Sequence, residues 1–231
     1  SGVTRGGLPF FLMDVVDGVP LSTIVARLKG REPARLSAGD LDWHSGSEAA
    51  GAKRGGSYVQ AVLQLLLPIA DALAAAHRAG VIHRDVKPGN ILVDRSGRAH
   101  LVDFGIAREA DSASLTATGH LAGTPNYMAP EQISASSSAV SPPTDVYGLG
   151  ITLYEALTLS KPFDGESLAK VYWSILNEQP RRPRACNPAI TADLETICHA
   201  AIEKLAVDRY ARADELADDL RALLELRAIS R

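Results

Sequence analysis

Hydrophobic positions follow a helical spacing along most of this chain. Between Tyr58 and Ala76, the residues Val59, Val62, Leu63, Leu66, Ile69, Ala70, Leu73 and Ala76 recur three and four apart, which places them on one buried face of a helix that Gly80 helps to end. Leu21 to Leu28 reads as a shorter helix. Asp145 to Leu159, Leu168 to Asn177, Thr191 to Leu205 and Ala213 to Leu226 read as longer ones. Thr191 followed by Asp193 and Glu195 has the chemistry of an N-cap with acids in the first turn, where they complement the helix dipole. Three short apolar runs, Val81-Ile82, Ile91-Leu92-Val93 and Ala99 to Val102, read as strands, with turn residues from Asp94 to Gly97 joining the last two. His100 is expected to face out of its strand. Residues from Lys29 to Ser57 are rich in Gly, Ala, Ser and charge without a period, which predicts a partly disordered insertion. Ser134 to Pro143 is a serine-rich loop by the same criteria.

Composition narrows the class. With 231 residues and 46% hydrophobic content, one lobe with a substantial core suffices. A net charge of -3 gives no electrostatic argument for nucleic acid, and the cluster Arg181-Arg182-Pro183-Arg184 is expected to be a solvated loop. Cys186 and Cys198 form neither a metal-ligand pattern nor a disulfide framework, so a reducing cytoplasmic setting is the default expectation. The six histidines are dispersed and suggest no zinc site. Gln60, Gln64, Pro68 and Asp71 interrupt the most apolar segment before it reaches membrane-spanning length, and no secretory signal is legible at the N-terminus. The expectation is no membrane segment in this chain, with tethering of a parent protein elsewhere left open.

The chemistry is concentrated in His83-Arg84-Asp85-Val86-Lys87-Pro88-Gly89-Asn90, followed thirteen residues after Asn90 by Asp103-Phe104-Gly105. Asp85 can receive or orient the proton of a substrate hydroxyl, and Lys87 can neutralise charge on a transferred phosphate. Asn90 and Asp103 offer hard oxygen ligands of the kind Mg²⁺ takes beside substrate phosphates. A lone Asp-Phe-Gly is usually a turn and a lone His-Arg-Asp a solvated loop; it is the order and spacing of four roles that carries weight. Downstream, Gly123 to Glu131 ends in Ala129-Pro130-Glu131, Asp145-Val146-Tyr147-Gly148-Leu149-Gly150 opens an apolar run, and Asp208-Arg209-Tyr210 lies near the C-terminus.

On these motifs the chain resembles a bacterial serine/threonine protein kinase of the eukaryotic-like (Hanks) type from Phe10 onward. The resemblance implies an α+β, protein-kinase-like fold, mainly the helical C-lobe. Residues 1–18 would be the last N-lobe strand and the hinge, 19–231 the C-lobe, 29–57 an insertion and 103–131 the activation segment. It implies ATP and Mg²⁺ as cofactors, with Met13 as gatekeeper, Asp14 and Val16 as hinge partners of adenine and Leu92 beneath the ring. Core packing is the plainer reading of Met13 and Leu92, and both can hold at once. By the same resemblance Asp145 anchors the catalytic loop from a buried helix and Arg209 pairs with Glu131, all three as structural braces. Gly148 stands where serine is common, and Ala206 where proline is.

Lys87 and Thr124 occupy the positions that, in this family, surround a serine or threonine acceptor. Small-molecule antibiotic kinases share a His-x-Asp loop but lack the Ala-Pro-Glu segment, so proteins are the expected substrates. Thr116 and Thr118 lie in the activation segment, where phosphate held by Arg84, with Arg108 as a second partner, would switch activity; alternatively they keep a mobile loop soluble, like Ser112 and Ser114. The small lobe's glycine-rich loop, strand lysine and helix glutamate have no match here. Lys29 and Lys53 lie after the hinge in a polar stretch and read as solvated charges. The sequence is therefore expected to begin inside the domain and to transfer phosphate weakly by itself. The alternative function is a noncatalytic kinase-like interaction module.

Overall fold

The computed structural model describes residues 14–43, 56–104, 125–134 and 140–231, together with the backbone of Gly2–Val3 and Pro9–Phe10. These two dipeptides, β1 and β2, pair antiparallel. Gly18–Pro20 (β3), Ile91–Asp94 (β4) and Ala99–Leu101 (β5) form an antiparallel sheet in the order β3-β4-β5, so that Leu92 stands between Pro20 and His100. Asp94 closes the β4–β5 turn. Its carboxylate accepts from the Ser96 and Arg98 N–H groups and from His100 Nε2, while Gly97 takes φ 83°. His100 is part-exposed on that pairing, as an outward-facing strand residue should be.

The helices are α1 (Leu21–Leu28), α2 (Tyr58–Arg78), α3 (Pro130–Ile133), α4 (Pro142–Thr158), α5 (Leu168–Asn177), α6 (Pro183–Cys186), α7 (Ala192–Ala201) and α8 (Ala213–Leu224). α2 packs along α8 and α4, and α4 also packs on α7. Leu66, Ile69, Ala70 and Leu73 of α2 are fully buried between them. Among the described residues α2 is the one helix long and apolar enough to cross a membrane, and here it is the core helix. α4 is buried over nearly its whole length. That position lets it reach both the catalytic loop and the C-terminal helices.

Several local expectations change. Val81-Ile82 is no strand: Val81 N–H turns back to the Ala76 carbonyl and Gly80 N–H to that of His77, with Gly80 at φ 76°, a Schellman close that uses these groups to cap α2. Residues 29–43 are folded, because Leu36, Ala38, Leu41 and Trp43 are buried and Ser37 bridges to Ser57; residues 44–55 lie outside the described residues. Two short 3₁₀ turns, Pro33–Arg35 and Ala38–Asp40, carry those apolar side chains inward without any helical period. α4 begins at Pro142 instead of Asp145, since proline is tolerated in the first turn, where an N–H would have no partner within the helix. α7 stops at Ala201, and Lys204 turns back to donate to the Ile175 carbonyl at 2.6 Å and to lie over the Phe163 ring. The arginine cluster starts α6 at Pro183, with Arg181, Arg182 and Arg184 exposed.

Arg209 and Glu131 meet as the sequence suggests. The guanidinium donates to both Glu131 oxygens at 2.8 Å and also to the carbonyls of Pro143, Glu203 and Lys204, with its plane over the Tyr147 ring. Its side chain is fully buried, and Thr144 Oγ1 adds a bond to Glu131. Arg209→Met leaves a half-buried carboxylate and three carbonyls without their donor, and is expected to cost about 3–5 kcal/mol in chemical denaturation. Arg209→Met/Glu131→Met should recover part of that loss by removing the stranded charge, but not all of it, because the carbonyls remain unpaired.

Candidate active site

The loop between α2 and β4 has little regular structure beyond the turn Pro88–Asn90, so side chains must set its shape. Asp145, in the first turn of α4 and 1% exposed, does most of this. Its Oδ2 accepts from the backbone N–H of His83 at 2.8 Å and its Oδ1 from that of Arg84 at 2.7 Å. His77, at the end of α2, donates from Nε2 to Oδ2 at 2.8 Å. A buried carboxylate is tolerable only when hydrogen-bonded, and these three donors satisfy it.

Arg84 takes φ 67° and Asp103 φ 59°, left-handed conformations that cost about 1–3 kcal/mol in a residue other than glycine and persist when neighbours over-determine them. Both flank the proposed chemistry. Gly148 leaves no room for a side chain against the loop: a Cβ there would sit 2.7 Å from the Val86 carbonyl oxygen. The departure from serine thus has a steric counterpart in this chain.

Around Asp85 the expected groups converge. Lys87 Nζ lies 2.6 Å from Asp85 Oδ2, and Asn90 Nδ2 donates to the same oxygen at 2.9 Å and to the Asp85 carbonyl at 2.8 Å. With Nδ2 so occupied, Asn90 Oδ1 carries no hydrogen bond among the described residues. The Val102 N–H donates to the Asn90 carbonyl at 2.9 Å, which ties Asn90 to the residue preceding Asp103. Asp103 itself is exposed. A free amide oxygen and an exposed carboxylate on two segments joined in this way fit the hard-oxygen chemistry of Mg²⁺. Leu92 lies on β4 between Ile91 and Val93, both fully buried, and so faces the opposite side of the sheet, half-exposed. Asp14 and Val16 lie in the irregular stretch that leads into β3, with Asp14 exposed and Val16 half-buried. Met13, Thr116, Thr118, Thr124 and Arg108 lie outside the described residues.

Sequence reading assigned no role to His83, His77 or Gln132. His83 is fully buried, donates from Nε2 to the Val102 carbonyl at 3.0 Å, accepts the Asp85 N–H at Nδ1 and touches the Phe104 ring at 4.6 Å. It thereby joins the Asp85 and Asp103 segments. Gln132 bonds the Arg84 carbonyl and the Ala129 N–H. A glutamine three residues after Ala129 is half of a capping box, which was a legible signal for the second bond though not for the first.

Burial holds the His83 imidazole below its ordinary pKa, so it is neutral in the fold, as its accepting Nδ1 requires. The unfolded chain binds a proton at this site near pH 6.5 and the folded chain only at lower pH, so stability is full above about 6.5 and falls as pH drops toward the folded value. The held-down carboxylates of Glu131, Asp40 and Asp214 stabilise the fold fully above about pH 4.3 and lose that contribution only below it, outside that window. The unfolding free energy should therefore decline between pH 7 and about 5.5, and His83→Gln, which keeps a donor but cannot titrate, should flatten that slope. An unchanged slope in the variant, followed by denaturant titration, contradicts this.

Comparison with known proteins agrees with this geometry. The protein kinase domain family matches residues 50–225. Over 173 residues the chain is 38% identical to the serine/threonine-protein kinase PknL of Mycobacterium tuberculosis, covering 75% of this chain and 43% of that protein. It is 35% identical over 217 residues to the serine/threonine-protein kinase PknB of the same organism, covering 93% and 30% respectively. The probable serine/threonine-protein kinase SCO3848 of Streptomyces coelicolor is 33% identical over 220 residues, 94% of this chain and 28% of that relative. The chain spans less than half the length of these relatives. Its matched residues include the Asp85 network, the Asp145 anchor and the Glu131–Arg209 pair, and it belongs to the protein kinase family.

Proposed function

We propose that this chain is the substrate- and Mg-ATP-engaging large lobe of a protein serine/threonine kinase. The observation that carries the reading is the convergence of Lys87 and Asn90 on one oxygen of Asp85, in a loop held by Asp145. In the reaction an acceptor Ser or Thr hydroxyl oxygen forms a bond to the γ-phosphorus, the bond from that phosphorus to the β–γ bridging oxygen breaks, and ADP leaves. The hydroxyl proton goes to Asp85. Lys87, 2.6 Å from that carboxylate, sits where it can share its charge between Asp85 and the phosphoryl oxygens. Asn90 and Asp103 would hold Mg²⁺, which when bound neutralises charge on the nucleotide phosphates. Leu92 would floor the adenine pocket, and the backbone of Asp14 and Val16 would hydrogen-bond the base. Lys87 and Thr124 favour serine and threonine acceptors in proteins, and the names of the relatives agree with that class.

The test uses the chain joined to a glycine-rich loop and a lysine-bearing strand. Asp85→Asn should leave nucleotide affinity nearly intact and lower turnover by about 10² to 10⁴. Asp103→Asn should weaken Mg-ATP binding, measured by calorimetry. Equal loss of nucleotide affinity in both variants contradicts the division of roles.

Regulation follows from the same loop. Phosphate on Thr116 or Thr118 would add about -1.5 to -2 charge and three acceptor oxygens able to form charge-assisted bonds to Arg84. In the two-lobed protein, mass spectrometry should find phosphate on this pair, and Thr116→Ala/Thr118→Ala should lower activity; full activity in unphosphorylated protein contradicts the switch.

A further inference from the structure

Gln132 follows Glu131 on α3, just past the proposed activation segment, and its side-chain amide reaches into the catalytic loop. Nε2 donates to the Arg84 carbonyl at 2.8 Å, while Oε1 accepts the Ala129 N–H at 2.9 Å. A primary amide can donate and accept at once, so both bonds fix its orientation. The residue it grips is one of the two left-handed residues of the site, at φ 67°. The Arg84 N–H goes to Asp145 Oδ1 at 2.7 Å and its carbonyl to Gln132. The peptide units on the two sides of this strained residue are thus pinned by side chains from two different helices, α4 and α3.

The second of these peptide units also contains the Asp85 N–H, which donates to His83 Nδ1 at 3.3 Å. Because a peptide unit is planar, fixing its carbonyl end and its N–H end fixes the direction in which the chain enters Asp85. If the carbonyl loses its donor, one restraint against the relaxation of Arg84 to an ordinary negative φ is gone, and that relaxation would rotate this plane and Asp85 with it. Ala129 and Glu131, on either side of Pro130, are themselves fastened, the first to Gln132 and the second to Arg209. Movement of this segment is therefore passed directly to the Arg84 carbonyl through an uncharged amide.

We propose that Gln132 is a positioning residue of the phosphoryl-transfer site: it holds Arg84 in its left-handed conformation and so aims Asp85. The inference rests on the reading of Asp85 as the proton acceptor. Gln132→Glu keeps the bond from Ala129 but presents an acceptor to the Arg84 carbonyl; Gln132→Met removes both bonds without adding charge. Loss of one buried donor predicts a fall in kcat of about tenfold in both variants of the two-lobed protein. KM for ATP should stay within about twofold and the melting temperature should fall by no more than a few degrees, the cost of the polar groups left unpaired, because the nucleotide contacts and the Arg209 brace are untouched. Unchanged kcat, or a kcat loss matched by a large fall in melting temperature, overturns the proposal. A crystal structure of Gln132→Met decides the matter independently of activity. Arg84 at negative φ with Asp85 turned away supports the proposal, and Arg84 at its original φ with Asp85 superimposed overturns it. Absence of turnover in the parent protein would count against the kinase reading alone.

Discussion

The Asp145 carboxylate lies where water cannot solvate it, and the donors that compensate it are the backbone N–H groups of the loop that carries Asp85. Desolvating a charge is costly unless hydrogen bonds replace its water, so the loop and the buried helix α4 stabilise each other. His77 supplies the third donor from the end of α2, which makes the core helix a partner in the same cluster. The left-handed backbone of Arg84 is affordable only inside such a frame.

The same helix carries the second fastening. Arg209 reaches Glu131 and the Pro143 carbonyl at the start of α4, so α3 and the C-terminal part of the chain meet within one turn of Asp145. Exposed ion pairs such as Arg95–Asp17 or Arg227–Glu225 contribute about 0–1 kcal/mol, since water competes for both partners. Arg209 differs because its charge is fully buried and all its donors are used. Lys87 and Asp85, by contrast, are half-exposed while their backbone is held from below.

Much of this was legible in the sequence wherever a periodic pattern or a spaced motif existed. α2 and α5 followed directly from apolar spacing, and Asp85, Lys87, Asn90, Asp145, Glu131 and Arg209 fell into place from their motifs. Residues 29–43 were opaque because their buried side chains hang on 3₁₀ turns and one isolated bridge, which leave no repeat to read. Apolar spacing puts the ends of α4 and α8 at Leu159 and Leu226, one and two residues beyond Thr158 and Leu224, where they stop. What no pattern showed is that leucine takes the part of glycine there, with Leu159 at φ 58° and Leu226 at φ 54° beside the capping bonds. His83, His77 and Gln132 act by joining segments distant in sequence, 19, 68 and 48 residues apart, and no local pattern encodes such a pairing.

The claim that one buried carboxylate shapes the catalytic loop is tested most directly by residue-resolved amide hydrogen exchange of the chain and its Asp145→Asn variant. The account predicts faster exchange at the His83 and Arg84 N–H groups, with the α2 and α8 amides unchanged in the same sample. Unaltered protection at His83 and Arg84 in a folded variant would contradict it.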